Sequence, residues 1–167
     1  MKSGYEIRAR LFANALYPFV CDCKTVEDFE NAALEFNETF HRHVRVCAGQ
    51  TRVVFITSDY VVKLDYGNRG RVWGDCATER KAYLRACKDG FGYLFAKTTP
   101  IMVNEMVFYA MPRIDRIGTE YNGWDDAFDR VNGKEYDYLM KYFRDLHCEN
   151  YGWKRGKIVI VDYACLE

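Results

Sequence analysis

Asp145, Asn150 and Asp162 are the residues of this 167-residue chain whose types and order best suit a defined chemistry. Asp145 and Asn150 lie in a short polar segment after a helical pattern, and Asp162 follows the β-branched run Ile158, Val159, Ile160 and Val161. A carboxylate able to take a proton, beside a carboxylate and an amide that offer hard oxygen ligands, is what magnesium-assisted phosphoryl transfer needs. A second pair lies upstream. Alternation along residues 60–64 puts Val61 and Lys63 on one face and Val62 and Leu64 on the other, so a cation sits within an otherwise apolar strand. Helical spacing of Glu79, Ala82, Tyr83 and Ala86 turns Glu79 inward with its apolar neighbours. Burying either charge alone is costly, so Lys63 and Glu79 are expected to pair. Taken singly, each of these residues reads as an ordinary solvated or capping group; the ordered set carries the chemistry.

The chain that must position them fits one domain, and with 49% hydrophobic residues it can bury a substantial core. The 24 Lys and Arg balance the 24 Asp and Glu, so no global field favours nucleic acid. The short basic stretch Lys154, Arg155, Gly156, Lys157 reads as a solvated hairpin turn rather than a nucleic-acid surface. No apolar run approaches the roughly 20 residues that span a bilayer, and residues 1–4 lead into a charged segment. A cytoplasmic location is therefore expected, in the host cytoplasm were the chain viral. Seven cysteines form no framework, and a zinc site from Cys21, Cys23 and His41 or His43 would match none of the usual ligand spacings. The cysteines are expected as reduced thiols.

Ile7, Leu11, Ala15, Leu16 and Phe19 predict a short first helix over residues 5–20, interrupted by Pro18. Thr25 followed by Glu27 and Asp28 marks the start of a second, whose buried stripe is Phe29, Ala32, Ala33, Phe36 and Phe40. From Val44 the period becomes that of strands: runs 44–47, 51–56 and 60–64 predict an antiparallel meander, and 102–111 one or two further strands ended by Pro112. A helix is expected over 76–87. Residues 118–133 read as polar connection with Trp124 and Phe128 embedded, and 134–144 as a helix burying Tyr136, Leu139, Met140 and Phe143.

Taken in order, Lys63, Glu79, Asp145, Asn150 and Asp162 resemble the protein-kinase-like superfamily. Its catalytic loop reads His-Arg-Asp-Leu-x-x-x-Asn or, in small-molecule kinases, His-x-Asp-Leu-His-x-x-Asn, followed by Asp-Phe-Gly. Here Asp145, Leu146, His147 and Asn150 keep the spacing; Phe143 replaces the first His, and Asp162, Tyr163 and Ala164 replace Asp-Phe-Gly. Of the three glycines of the phosphate-covering loop, aligned on Val54, only Gly49 remains, with Cys47 and Arg52 at the other positions. His147 leans toward the small-molecule branch or a divergent viral or bacterial relative.

The resemblance implies an α+β protein-kinase-like fold, an antiparallel N-lobe sheet with one helix and a much reduced helical C-lobe, to which the spacing over residues 5–40 adds extra N-terminal helices. It implies a kinase-like domain over 44–167, with the N-lobe at about 44–111 and the C-lobe at about 112–167, and does not cover residues 1–43, which their spacing makes a helical extension. The implied cofactors are ATP and Mg2+. Gly49, Val54, Val61, Lys63, Met111 and Ile114 would bind nucleotide, the last two at the hinge; Glu79 would orient Lys63. Asn150 and Asp162 would hold magnesium, and Asp145 would position or deprotonate an acceptor hydroxyl. The implied function is a minimal kinase, a transferase acting on a protein or small molecule; the alternative is a pseudokinase-like inhibitor or decoy with weak or no catalysis. Five residues follow Asp162 in the sequence, so residues 1–43, a protein partner or a second copy is expected to supply the burial that further C-lobe helices give the family.

Overall fold

A computed structural model describes residues 4–49, 51–66, 74–116, 130–142 and 150–162 of the chain. They form two compact units, Met1–Ala77 with Thr98–Arg113, and Thr78–Lys97 with Ile114–Glu167. The α+β class is as expected, with a five-stranded antiparallel sheet and four α-helices among the described residues. None of these helices is long and apolar enough to cross a membrane.

The first unit opens with helices α1 (Gly4–Val20) and α2 (Val26–Phe40). Pro18 lies inside α1 rather than interrupting it. A proline near the end of a helix costs one hydrogen bond; the last turn is held anyway by the fully buried Val20 and by Phe19, whose ring meets Phe36 edge-on at 5.5 Å. The buried stripe of α1 also differs from expectation. Ala9, Phe12, Ala13, Leu16 and Val20 face inward, whereas Ile7 and Leu11 are exposed. Apolar residues nearly encircle this helix, so periodicity alone does not choose a face; the side with two alanines allows close approach to the sheet. Glu6 is buried there too and accepts a hydrogen bond from the Thr99 hydroxyl at 3.0 Å, which satisfies one of its oxygens.

Helix α2 starts where its sequence says. Thr25 caps it, the Asp28 amide donating to the Thr25 hydroxyl at 3.1 Å. The Asp28 carboxylate accepts from the amides of Lys24 and Thr25, both at 2.8 Å, and these bonds hold its pKa below the ordinary value. Replacing Thr25 by alanine is expected to lower stability by about 1 kcal/mol, read as a shift in urea midpoint at constant slope. An unchanged midpoint would show that the cap contributes nothing. Phe29, Ala32, Ala33 and Phe36 are buried as expected, while Phe40 is half exposed at the end.

Strands β1 (Arg45–Ala48), β2 (Arg52–Ile56) and β3 (Tyr60–Asp65) form the expected meander. The segment read as one or two strands is a hairpin, β4 (Thr99–Val103) and β5 (Met106–Pro112), turning at Asn104 with φ of 49°. Strand order is β1-β2-β3-β5-β4, all antiparallel. Val53, Phe55, Val62, Leu64, Phe108 and Ala110 form a continuous core with α1 and α2. The N-terminal helices, which the family resemblance does not cover, thus line one face of the sheet.

Helix α3 (Asp75–Lys88) begins in the first unit and continues in the second. The second unit adds a 3-10 turn at Gly92–Leu94, strand β6 (Asp115–Arg116), helix α4 (Gly133–Tyr142) and the hairpin β7 (Tyr151–Lys154) and β8 (Lys157–Ile160). Arg155 and Gly156 both have positive φ, 53° and 74°, the backbone that a two-residue hairpin turn requires. Strand β7 pairs with β6 as well as β8, and the Ala96 amide donates to the Ile160 carbonyl at 2.8 Å. Helix α4 is capped reciprocally: the Glu135 amide donates to the Asn132 side chain at 3.1 Å, and the Asn132 amide to Glu135 at 2.8 Å. Its buried residues are Tyr138 and Leu139, while Tyr136 and Met140 are exposed. Tyr138 takes the inward position because its ring stacks on Phe91 at 4.3 Å and its hydroxyl donates to Asp89 at 3.1 Å; burial first, then Asp89, pushes the phenol pKa up. Phe143, Trp124 and Phe128 lie outside the described residues.

Candidate functional site

Strand register decides which of the sequence-read residues share a surface. Val54 of β2 stands opposite Lys63 of β3, and Lys63 opposite Tyr109 of β5; Val61 stands opposite Met111. Directly opposed residues in antiparallel strands point to the same side, as do residues two apart along a strand. Val54, Val61, Lys63, Tyr109 and Met111 therefore lie on one face, the reverse of the face packed by α1 and α2. Lys63 is buried, as are Tyr109 and Met111, while Val54 and Val61 are half-buried. Tyr109 and Val107 on this face pack with Cys76 and Ala77 from the first turn of α3.

Two charged neighbours escaped the sequence reading. Arg52 and Asp65 oppose each other across β2 and β3 and follow Val54 and Lys63 by the same alternation, so the argument that singled out Lys63 applied to them too. Both are buried. The Cys76 amide donates to Asp65 at 3.2 Å, which joins the end of β3 to the start of α3. Gly74 has φ of 153°, and a side chain there would overlap the Asp65 carboxylate. Burial raises the Asp65 pKa, opposed by the Cys76 hydrogen bonds and the Arg52 charge.

Gly49 lies in the β1–β2 connection, where its amide donates to the Arg52 carbonyl at 2.8 Å. That donor closes an ordinary turn, and a Cβ at Gly49 would come no nearer than 3.5 Å to its surroundings. Nothing in the backbone there calls for glycine. Met111 is the next-to-last residue of β5 and Ile114 follows the strand, both buried; the boundary between the two units falls between Arg113 and Ile114.

In the second unit Glu79 is fully buried on α3, facing inward as its spacing predicts. Asn150 and Asp162 flank the β7–β8 hairpin, and its pairing brings them side by side. The Asn150 carbonyl accepts from the amides of Val161 at 2.7 Å and Asp162 at 3.3 Å. Asn150 is buried and Asp162 half-exposed. An amide oxygen and a carboxylate are hard donors suited to magnesium, which keeps waters and phosphate oxygens as its remaining ligands. Asp145 and His147 lie outside the described residues.

Cys21, Cys23, Cys47, Cys76 and Cys87 are free thiols. Burial, then the charge of Asp28, pushes the Cys23 thiol up to about 11, which disfavours the thiolate a zinc site needs. Among the described residues no three His, Cys, Asp or Glu side chains cluster as metal ligands.

No protein-family model matches this chain, and no curated protein matches it at a significant level. Among solved structures it is similar to the Legionella pneumophila kinase Lpg2603 bound to IP6, at 15% identity and a TM-score of 0.47. The match covers 71% of this chain, which spans about half the length of that one, 46% of it being covered. A likeness this distant carries no functional argument, and the functional reading rests on the residues themselves.

Proposed function

We propose that this chain is a minimal kinase-like protein that binds Mg-ATP and transfers a phosphoryl group to a protein or small-molecule hydroxyl. The observation that carries this reading is the sheet face bearing Val54, Val61, Lys63 and Met111, apolar side chains around a buried ammonium, with the buried pair of opposed residues Arg52 and Asp65 at one end of the same face. That combination fits a nucleotide: apolar side chains cover the base, and an ammonium neutralises phosphate charge. Val54, Val61 and Met111 take the first role and Lys63 the second. Ile114 and Met111 mark the connection whose backbone meets the adenine edge. Asn150 and Asp162 hold the magnesium, which supplies neutralisation of phosphate charge when bound. Asp145 orients the acceptor hydroxyl and takes its proton.

One observation favours the pseudokinase-like reading as the second choice. The Gly49 amide is engaged by Arg52, so it does not offer the free backbone donor that a phosphate-covering loop provides. Incubation with labelled ATP and magnesium separates the two, since label on the protein, on an added acceptor or in released phosphate requires turnover.

Nucleotide binding itself has a direct test. Mg-ATP at 100 times its dissociation constant is expected to stabilise the native chain by about 2.7 kcal/mol, visible as a rise in melting temperature. Lys63→Met weakens that shift. If the wild type gains nothing at millimolar nucleotide, the proposal fails. A cycle of Lys63→Met, Glu79→Gln and the double variant, read by ATP affinity, measures the coupling that the sequence predicts for these two residues.

A further inference from the structure

The first unit contains a concave pocket of about 530 Å³ on the side of the sheet remote from Lys63. Its location follows from β3: Tyr60, which lines it, shares a face with Val62 and Leu64, the face packed by α1 and α2. The volume falls within the roughly 300–1,000 Å³ of small-molecule sites. Its wall is aromatic. Phe12 meets Phe36 edge-on at 5.3 Å and Tyr60 at 5.9 Å, and Phe36 lies tilted against Phe40 at 4.9 Å. Leu11 and Phe40 leave apolar surface open at the rim, with exposures of 65% and 45%.

Two guanidinium groups stand at the same pocket, and they differ. Arg8 is neutralised by Asp59, its Nε donating to the carboxylate at 2.9 Å. Arg42 takes part in no ion pair among the described residues and is exposed. Its backbone is fixed. The Arg42 amide donates to the Asn37 carbonyl at 3.0 Å, and the Asn37 side chain bonds both the amide and the carbonyl of Val44, at 2.9 and 3.0 Å. The connection from α2 to β1 is thus tied back to the helix and carries the Arg42 guanidinium at the cavity, with no ion-pair partner among the described residues.

We infer that this pocket binds a small amphipathic acid, an aryl or alkyl body with one carboxylate, the body lying against the open surfaces of Leu11 and Phe40 over a floor of Phe12, Phe36 and Tyr60, and the carboxylate paired with Arg42. An aromatic wall prefers offset or edge contacts with an aryl body, and a guanidinium binds a carboxylate through two parallel hydrogen bonds. Concavity argues against a second copy of the chain, because a stable interface between proteins covers on the order of 1,200–2,000 Å² of broad surface.

The test uses the full chain and two matched probes, 1-naphthaleneacetate and its neutral amide, 1-naphthaleneacetamide, titrated by fluorescence. The acid is expected to bind saturably and more tightly than the amide. Arg42→Gln should weaken the acid roughly tenfold, as loss of one charge-assisted contact does, and leave the amide unchanged. Ala15→Phe, which fills the pocket from its half-exposed wall, should remove both. Failure of the acid to saturate, or equal affinity for the acid in wild type and Arg42→Gln, overturns the assignment. Sedimentation provides the third arm: self-association of the wild type that Ala15→Phe abolishes would give the pocket to a second copy and overturn it equally. None of these readouts involves nucleotide, so the result is independent of the kinase-like reading.

Discussion

Asp145→Ala is expected to leave Mg-ATP affinity unchanged while lowering phosphoryl transfer roughly 100- to 10,000-fold, or about 3 to 5 kcal/mol of barrier. In the proposed mechanism this carboxylate orients the acceptor hydroxyl and takes its proton, and neither task concerns the bound nucleotide. Asp162→Ala should behave in the opposite way. It removes a carboxylate beside Asn150, whose carbonyl accepts the Asp162 amide at 3.3 Å, and so takes away an oxygen donor from the proposed magnesium pair. Magnesium-dependent nucleotide binding should fall with it, and the fall should vanish when magnesium is omitted from both proteins. ATP affinity and transfer rate measured for the two variants decide the matter: equal loss of ATP binding in both would sink the separate roles, even with the fold correct. In a pseudokinase neither change alters a turnover, yet Asp162→Ala still weakens nucleotide.

The second large effect is on stability. Phe36 is buried at 2% exposure and touches three other aromatic rings, Phe12, Phe19 and Phe40. Phe36→Ala removes a ring from the place where α1, α2 and the sheet meet, and a cavity of that kind costs roughly 3–5 kcal/mol. A domain of ordinary stability holds only about 5–15 kcal/mol in reserve, so the variant should populate unfolded chain readily. Urea denaturation measures the loss. Phe40→Ala, at the half-exposed end of the same cluster, serves as the comparison and should lose far less. A Phe36→Ala midpoint equal to that of Phe40→Ala would mean that α2 does not anchor the core.

The elements legible in the sequence were those whose cause is local. Thr25 and Asp28 start α2 through bonds spanning three residues, and the spacing of Phe29, Ala32, Ala33 and Phe36 states its face because the other positions, apart from the exposed Val26, Leu34 and Phe40, are polar. The strand meander follows from β-branched runs separated by short polar turns. Glu79 was readable as inward because its stripe partners Ala82 and Ala86 are apolar. Where apolar residues ring a helix, as in α1, or where tyrosine can count as either core or surface, as in α4, periodicity has no single answer. Packing against a particular neighbour supplies it: the alanine-lined side of α1 approaches the sheet, and Phe91 with Asp89 turns Tyr138 inward in place of Tyr136.

The candidate site divides along the same line. Sequence by itself determined the residue types and their order, Lys63, Glu79, Asp145, Asn150 and Asp162, and the alternation that places a cation within an apolar strand. It also contained Arg52 and Asp65, unread because a charge at a strand's end looks solvated until its cross-strand partner is known. Only the tertiary structure decided that Val54, Lys63 and Tyr109 stand in one row, that Arg52 opposes Asp65, and that Asn150 and Asp162 meet across a hairpin. The physical reason is register. A one-residue slip between strands moves every side chain to the other face, and no local propensity fixes that choice; it is set by which face the long-range core of α1 and α2 covers.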